Sequence, residues 1–167
     1  PEWCISDLAI MAAGGVTVPT YTTNTERDHQ HIIDNSGATM TIVSNAKLAK
    51  TLLPAVLHTV GSHSHVVIGI EEMRISQPGA IEFHDWNTLI AENPADVAAA
   101  AAEADKVKRE DLACIIYTSG TGGSPRGVMQ HHGAILCNVE GCCTVISEDF
   151  GWEDEIFLSF LPLSHAY

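Results

Sequence analysis

A chain of 167 residues, 46% of them hydrophobic and with a mean hydropathy of +0.10, has the size of one domain and enough apolar material for a real core. Its formal charge of −13 comes from 21 acidic and 8 basic residues, with no basic stripe, which argues against a nucleic-acid partner. No apolar run approaches the ~20 residues of a transmembrane helix, and the apolar stretch Glu2–Gly15 carries Asp7 and lacks the basic start of a secretory signal, so a cytoplasmic location is expected.

In chain order, Trp3–Ala13 is apolar on nearly every side and reads as a buried helix closed by Gly14 and Gly15. Val16–Tyr21 reads as a short strand. Thr25 followed by Asp28 predicts a capped helix start, and Gly37 its end. Met40–Val43 is a strand. Ala46–Val60 is helical by pattern, with Pro54 as a break or kink. Val66–Ile70 is a continuous apolar run, as in a strand covered on both faces. From Glu71 to Asp111 the character changes, and the segment reads as a surface excursion. Within it, Gln77-Pro78-Gly79 signals a turn, Asp85–Ala91 a short helix, and Asn93-Pro94 the cap and first residue of a helix through Ala98–Ala102. The core resumes at Leu112–Tyr117. Ile135, Val139, Cys142 and Ile146 form a helical stripe, and Glu155–Leu161 a last strand. Strands alternating with helices predict an α/β fold with a mainly parallel sheet flanked by helices.

The five cysteines, at positions 4, 114, 137, 142 and 143, contain no C-x-x-C pair. They read as buried free thiols in a reducing compartment. The pairs His29/His31, His63/His65 and His131/His132 lack the spacing of a zincin-type site, so the histidines read as solvated or core residues, and no metal ligands are assigned.

The segment that follows Leu112–Tyr117 carries the chemistry. Thr118-Ser119-Gly120-Thr121-Gly122-Gly123-Ser124-Pro125-Arg126-Gly127-Val128 is rich in glycines, hydroxyls and one cation. Glycines let a backbone curl close to a ligand, and successive N–H groups in such a curl form an anion site. Thr118, Ser119, Thr121 and Ser124 add hydroxyl donors, and the Arg126 guanidinium can fork onto two phosphate oxygens. The spacing is neither that of the common phosphate loop, since Gly127 precedes Val128 and not Lys, nor that of the dinucleotide fingerprint, whose third glycine is missing.

Tyr117–Val128 resembles the Y-T-S-G-T-T-G-x-P-K-G-V signature of the adenylate-forming enzymes. It departs from the pattern only at Gly122, in place of Thr, and Arg126, in place of Lys. Leu161-Pro162-Leu163-Ser164-His165-Ala166-Tyr167 is similar to the L-P-L-x-H-x-[YF]-E block of the same family. Gly14–Thr23 is similar to a G-G-V-x-V-P-x-Y-x-T block of its long-chain acyl-CoA synthetases. The resemblance implies that the whole protein uses ATP to activate a carboxylic acid, most like a long-chain fatty acid, as an acyl-adenylate. Coenzyme A then takes the acyl group.

The resemblance assigns nucleotide-phosphate binding to Thr118, Ser119, Gly120, Thr121, Gly122, Gly123, Ser124, Arg126 and Gly127. It puts the catalytic His165 near the acyl carboxylate, and His132 at the family's histidine after the loop or as a helix cap. It implies ATP, Mg²⁺, coenzyme A and a fatty acid as cofactors and substrates, and leaves room for peripheral membrane contact. The family's T-x-E magnesium block, ribose-binding aspartate, hinge and C-terminal lysine do not occur here. The expectation is therefore an incomplete part of the adenylate-forming enzyme N-terminal domain, spanning 1–167 with both ends truncated. Such a piece would be inactive alone, would hold no cofactor tightly and would self-associate. A ligase for another acid or for a carrier protein, and a non-catalytic phosphate- or nucleotide-binding module, stay open as alternatives.

Overall fold

The computed structural model describes residues 1–59, 64–73, 79–118 and 124–151. Helix α1 (Glu2–Ala12) is followed by α2 (Glu26–Ser36), strand β1 (Met40–Val43), α3 (Ala46–Thr59), β2 (His65–Gly69) and β3 (Ile81–Asp85). Then come α4 (Trp86–Glu92), α5 (Val97–Ala104), β4 (Leu112–Thr118), β5 (Arg126–His131), α6 (His132–Val145) and a π-type turn, Ile146–Phe150. The described strands form a parallel sheet in the order β1-β2-β3 and an antiparallel pair β4-β5. The result is an α/β fold in which the antiparallel pair stands beside a parallel sheet.

The core follows from the amphipathic pattern of α2 and α3. Ile33 of α2, together with Ala49, Leu52, Ala55 and Val56 of α3, packs on Val43, Val67 and Ile81 of the parallel strands. Ala55, Val56 and Val67 are fully inaccessible. Burying a side chain of this kind stabilises by roughly 1.5–3 kcal/mol.

Local chemistry sets the bounds of α2. The Thr25 hydroxyl accepts from the Asp28 N–H at 3.3 Å, and the Asp28 carboxylate accepts from the Thr25 N–H at 2.9 Å, a reciprocal capping box. At the other end Gly37 takes a left-handed φ of 70°, where a side chain would be strained. Helix α3 runs on through Pro54 without the expected break.

Four further expectations are corrected. Helix α1 is not buried: among its residues only Ser6 is buried, while Trp3, Ile5 and Leu8 are exposed. Apolar character gives no cover by itself, and α5 is the helix that packs against it. Val16–Tyr21 contributes a single parallel bridge, Thr17 to Cys114, where the Thr17 N–H donates to the Ala113 carbonyl and the Thr17 carbonyl accepts from the Ile115 N–H. Pro19, which has no N–H, cannot continue such a ladder. The helix over the alanine run starts one turn later than expected: Asp96 caps it by accepting from Ala99 N–H at 3.0 Å, and Asn93 instead closes α4. Of the five free cysteines only Cys114 is buried, and Cys4, Cys137 and Cys142 are exposed.

Two positions bear on the Glu71–Asp111 segment. Among the described strands Ile81–Asp85 is an edge of the parallel sheet, with Ile81 buried, while α5 has no buried residue and only Ala104 at its end is half-buried. The expected strand Glu155–Leu161 lies outside the described residues.

Candidate active site

The signature segment sits where β4 leaves the core. Strand β4 is held on one side by Thr17 and on the other by β5, with Ala113, Cys114 and Tyr117 buried. Its antiparallel register with β5 puts Tyr117 opposite Gly127 and Thr118 opposite Arg126. Thr118 and Arg126 thus form the last pair of the ladder, at the mouth of the segment that joins the two strands. Thr118, Ser124, Arg126 and Gly127 are all exposed, so their polar groups are open to a ligand. Ser119, Gly120, Thr121, Gly122 and Gly123 lie outside the described residues, as does His165.

Gly127 has a packing reason beside any ligand role. A Cβ there would stand 2.8 Å from Ile115 Cγ2 and 3.1 Å from Tyr117 Cζ. The absent side chain lets the Tyr117 ring lie across the strand pair.

Helix α2 reaches the stems on both sides. The Tyr117 hydroxyl donates to Asn35 Oδ1 at 2.7 Å. His31 Nε2–H donates to the Pro125 carbonyl at 2.8 Å. The His31 and Tyr117 rings meet edge to face, with centroids 6.2 Å apart and planes at 86°. Burial pushes the Tyr117 phenol above its ordinary pKa and keeps it a neutral donor. From the sequence His31 reads as a solvated or core histidine, and Asn35 is not singled out at all. Their only signal was two polar residues four apart on an amphipathic helix, a pattern shared by most solvated helix faces.

Beside these stems lies an open cleft of about 440 Å³, bounded by Pro19, Tyr21, Asn24, Asp28, Ile32, Tyr117, Thr118 and Pro125. Its carboxylate, Asp28, has a pKa held below the usual range by the Thr25 hydroxyl and then the Thr25 N–H. That group is committed to the helix cap. Among the described residues no three His, Cys, Asp or Glu side chains come together to hold a metal. The described residues therefore do not by themselves fit a Mg²⁺ site.

The histidine after the segment divides its roles. His131, not His132, caps α6, its Nδ1 accepting from Ala134 N–H at 3.1 Å. His132 is the first residue of the helix and is half-buried, lining an apolar groove with Leu8, Ile135 and Leu136. Strand β5 itself was not foreseen. Nearly all of it is exposed, so its side chains carry no alternation between core and solvent.

The family model described as AMP-binding enzyme matches residues 1–167. The chain belongs to this family. Among curated proteins it is 27% identical to the long-chain-fatty-acid–CoA ligase ACSBG2 of Gallus gallus, over 99% of this chain and 22% of that protein. It is 29% identical to the peroxisomal long chain acyl-CoA synthetase 7 of Arabidopsis thaliana, over 100% of this chain and 23% of that protein. The chain thus spans less than a quarter of the length of these relatives. Among solved structures, an anthranilate CoA ligase, AuaEII, in complex with anthranoyl-AMP superposes with a TM-score of 0.62 at 23% identity, over 83% of this chain and 24% of that one. The luciferase-like enzyme of the Zophobas morio mealworm gives 0.56 at 18% identity, over 77% of this chain and 27% of that one. These likenesses show the fold of the N-terminal part of adenylate-forming enzymes.

Proposed function

We propose that this chain carries the phosphate-gripping part of an acid–thiol ligase, and that the full-length protein activates a long-chain fatty acid. The carboxylate oxygen attacks the α-phosphorus of ATP, the bond to pyrophosphate breaks, and an acyl-adenylate forms. The sulfur of coenzyme A then attacks the acyl carbon and AMP leaves. The names of the curated relatives support the acid class and the acceptor, and the family supports the adenylate.

The observation that carries the reading is the β4–β5 stem, with Thr118 and Arg126 paired and exposed at its open end. Displacing pyrophosphate concentrates negative charge on the leaving group, and catalysis of such transfers rests on positioning and electrostatics. Thr118 and Ser124 offer hydroxyl donors to phosphate oxygens, and Arg126 offers a planar fork. Ser119–Gly123 would add backbone N–H donors, and His165 a donor to the acyl carboxylate. Both come to this reading through the sequence signature. In the whole enzyme Mg²⁺ would screen the phosphates, held by residues other than those described.

The test is ATP–pyrophosphate exchange by the full-length protein against acids of graded chain length, followed by thioester formation with coenzyme A. Exchange that depends on a long-chain acid is expected. An optimum with aryl or short-chain acids would move the protein elsewhere in the family. Nucleotide binding without exchange for any acid would replace the reading with a non-catalytic module.

A further inference from the structure

Strand β5 needs something besides β4 to fix it. Its residues are exposed almost throughout, so the core contributes little to its position. Its hydrogen bonds to β4 set its register, but a two-stranded ribbon twists and slides easily when nothing else holds it.

Helix α2 is the opposite kind of element. Its capping box, its glycine terminus, its buried His29, Ile32 and Ile33, and its packing on α3 all fix it in the core. From that fixed helix two side chains one turn apart reach across to the ribbon. Asn35 takes the Tyr117 hydroxyl on β4, 82 residues away in sequence, and His31 takes the Pro125 carbonyl next to β5, 94 residues away. The edge contact between the His31 and Tyr117 rings ties the two grips together.

We infer that His31 and Asn35 are positioning residues that set where the stems carrying Thr118 and Arg126 stand relative to each other and to the core. The inference rests on the proposed function, since it is the ATP phosphates that those two side chains are read as meeting. Neither His31 nor Asn35 needs to touch the nucleotide. Each removes freedom from a stem, and a donor pair held in advance loses less on binding than one that must be ordered by the ligand.

The experiment is a pair of substitutions in the full-length protein, Asn35→Ala and Tyr117→Phe, with the double variant. Each single variant deletes the same bond, and Tyr117→Phe keeps the ring and its packing. Each is expected to raise KM for ATP roughly fivefold, the size of one neutral hydrogen bond. The double variant should be no worse than either single one within about twofold, the non-additivity of a shared bond. KM for the acid should stay within about twofold. His31→Gln, which keeps an N–H donor of similar reach, should behave as wild type, while His31→Leu should raise KM for ATP. If Tyr117→Phe and Asn35→Ala lower the melting temperature but leave KM for ATP unchanged, the bonds merely hold the helix to the ribbon and the inference is overturned. Wild-type protein without acid-dependent pyrophosphate exchange would instead remove the functional reading on which the inference stands.

Discussion

At the scale of residues, Arg126 is an exposed cation at the open end of the β4–β5 stem. It faces Thr118 across the last pair of the ladder, and it makes no ion pair with any described residue. A guanidinium free in this way is available to a polyphosphate. In the full-length protein Arg126→Ala is expected to lower kcat/KM for ATP roughly tenfold to a hundredfold, the range of one charge-assisted bond. Arg126→Lys should be mild, since a point charge still meets the phosphate, although it loses the second arm of the fork. KM for the acid should move less than KM for ATP. Steady-state kinetics with each substrate varied in turn checks this, and an Ala variant within twofold of wild type would remove Arg126 from the site. Family membership was legible because its signature is contiguous: Tyr117–Val128 departs from the pattern only at Gly122 and Arg126. His31 and Asn35 were not legible, because their partners stand 94 and 82 residues away and only the fold brings them together.

Elements divide along the same line. Helix α2 was legible at both ends because its caps are local: Thr25 and Asp28 are three residues apart, and Gly37 needs only its own φ. The burial of α1 was not, because cover depends on what packs against an element, and its sequence holds no trace of that. Strand β2 was legible as a covered strand, and it carries a histidine whose titration gives a test. His65 is buried, its Nε2 lies 2.6 Å from the Thr41 hydroxyl, and burial lowers its pKa from the ordinary value of 6.5. The folded state therefore resists protonation more than the unfolded chain does. The unfolded chain takes up more protons as pH falls below its own pKa, so stability is full above about pH 7 and declines as pH falls through that value toward the lowered one. His29, whose pKa is also lowered mainly by burial, acts in the same direction. The melting temperature is expected to fall between about pH 7 and pH 5.5. His65→Gln should flatten that slope, and an unchanged slope would show that His65 gains enough solvent to titrate freely.

For the molecule as a whole, the decisive feature is the apolar surface carried by α1 and α6. Trp3, Ile5 and Leu8 on α1 are 38%, 55% and 65% exposed, and Leu136, Val139 and Val145 on α6 are 43%, 52% and 52% exposed. Between α1, the end of α5 and α6 runs an apolar groove of about 320 Å³, lined by Leu8, Met11, Ala12, Ala104, Val107, His132, Ile135 and Leu136. Large contiguous patches of this kind are uncommon on soluble monomers, and they pair or aggregate when nothing covers them. The 167-residue chain prepared alone is therefore expected to self-associate, despite a formal charge of −13 that opposes contact. Salt separates the two forces. Screening the charge shortens its reach to about 8 Å at physiological ionic strength, while apolar attraction is left intact, so association should strengthen as salt is added. Leu8→Glu or Leu136→Glu should weaken it by placing charge in the groove. Light scattering across a concentration series reads the outcome. A clean monomer at high concentration and high salt, unchanged by either substitution, would overturn the expectation that this face drives association.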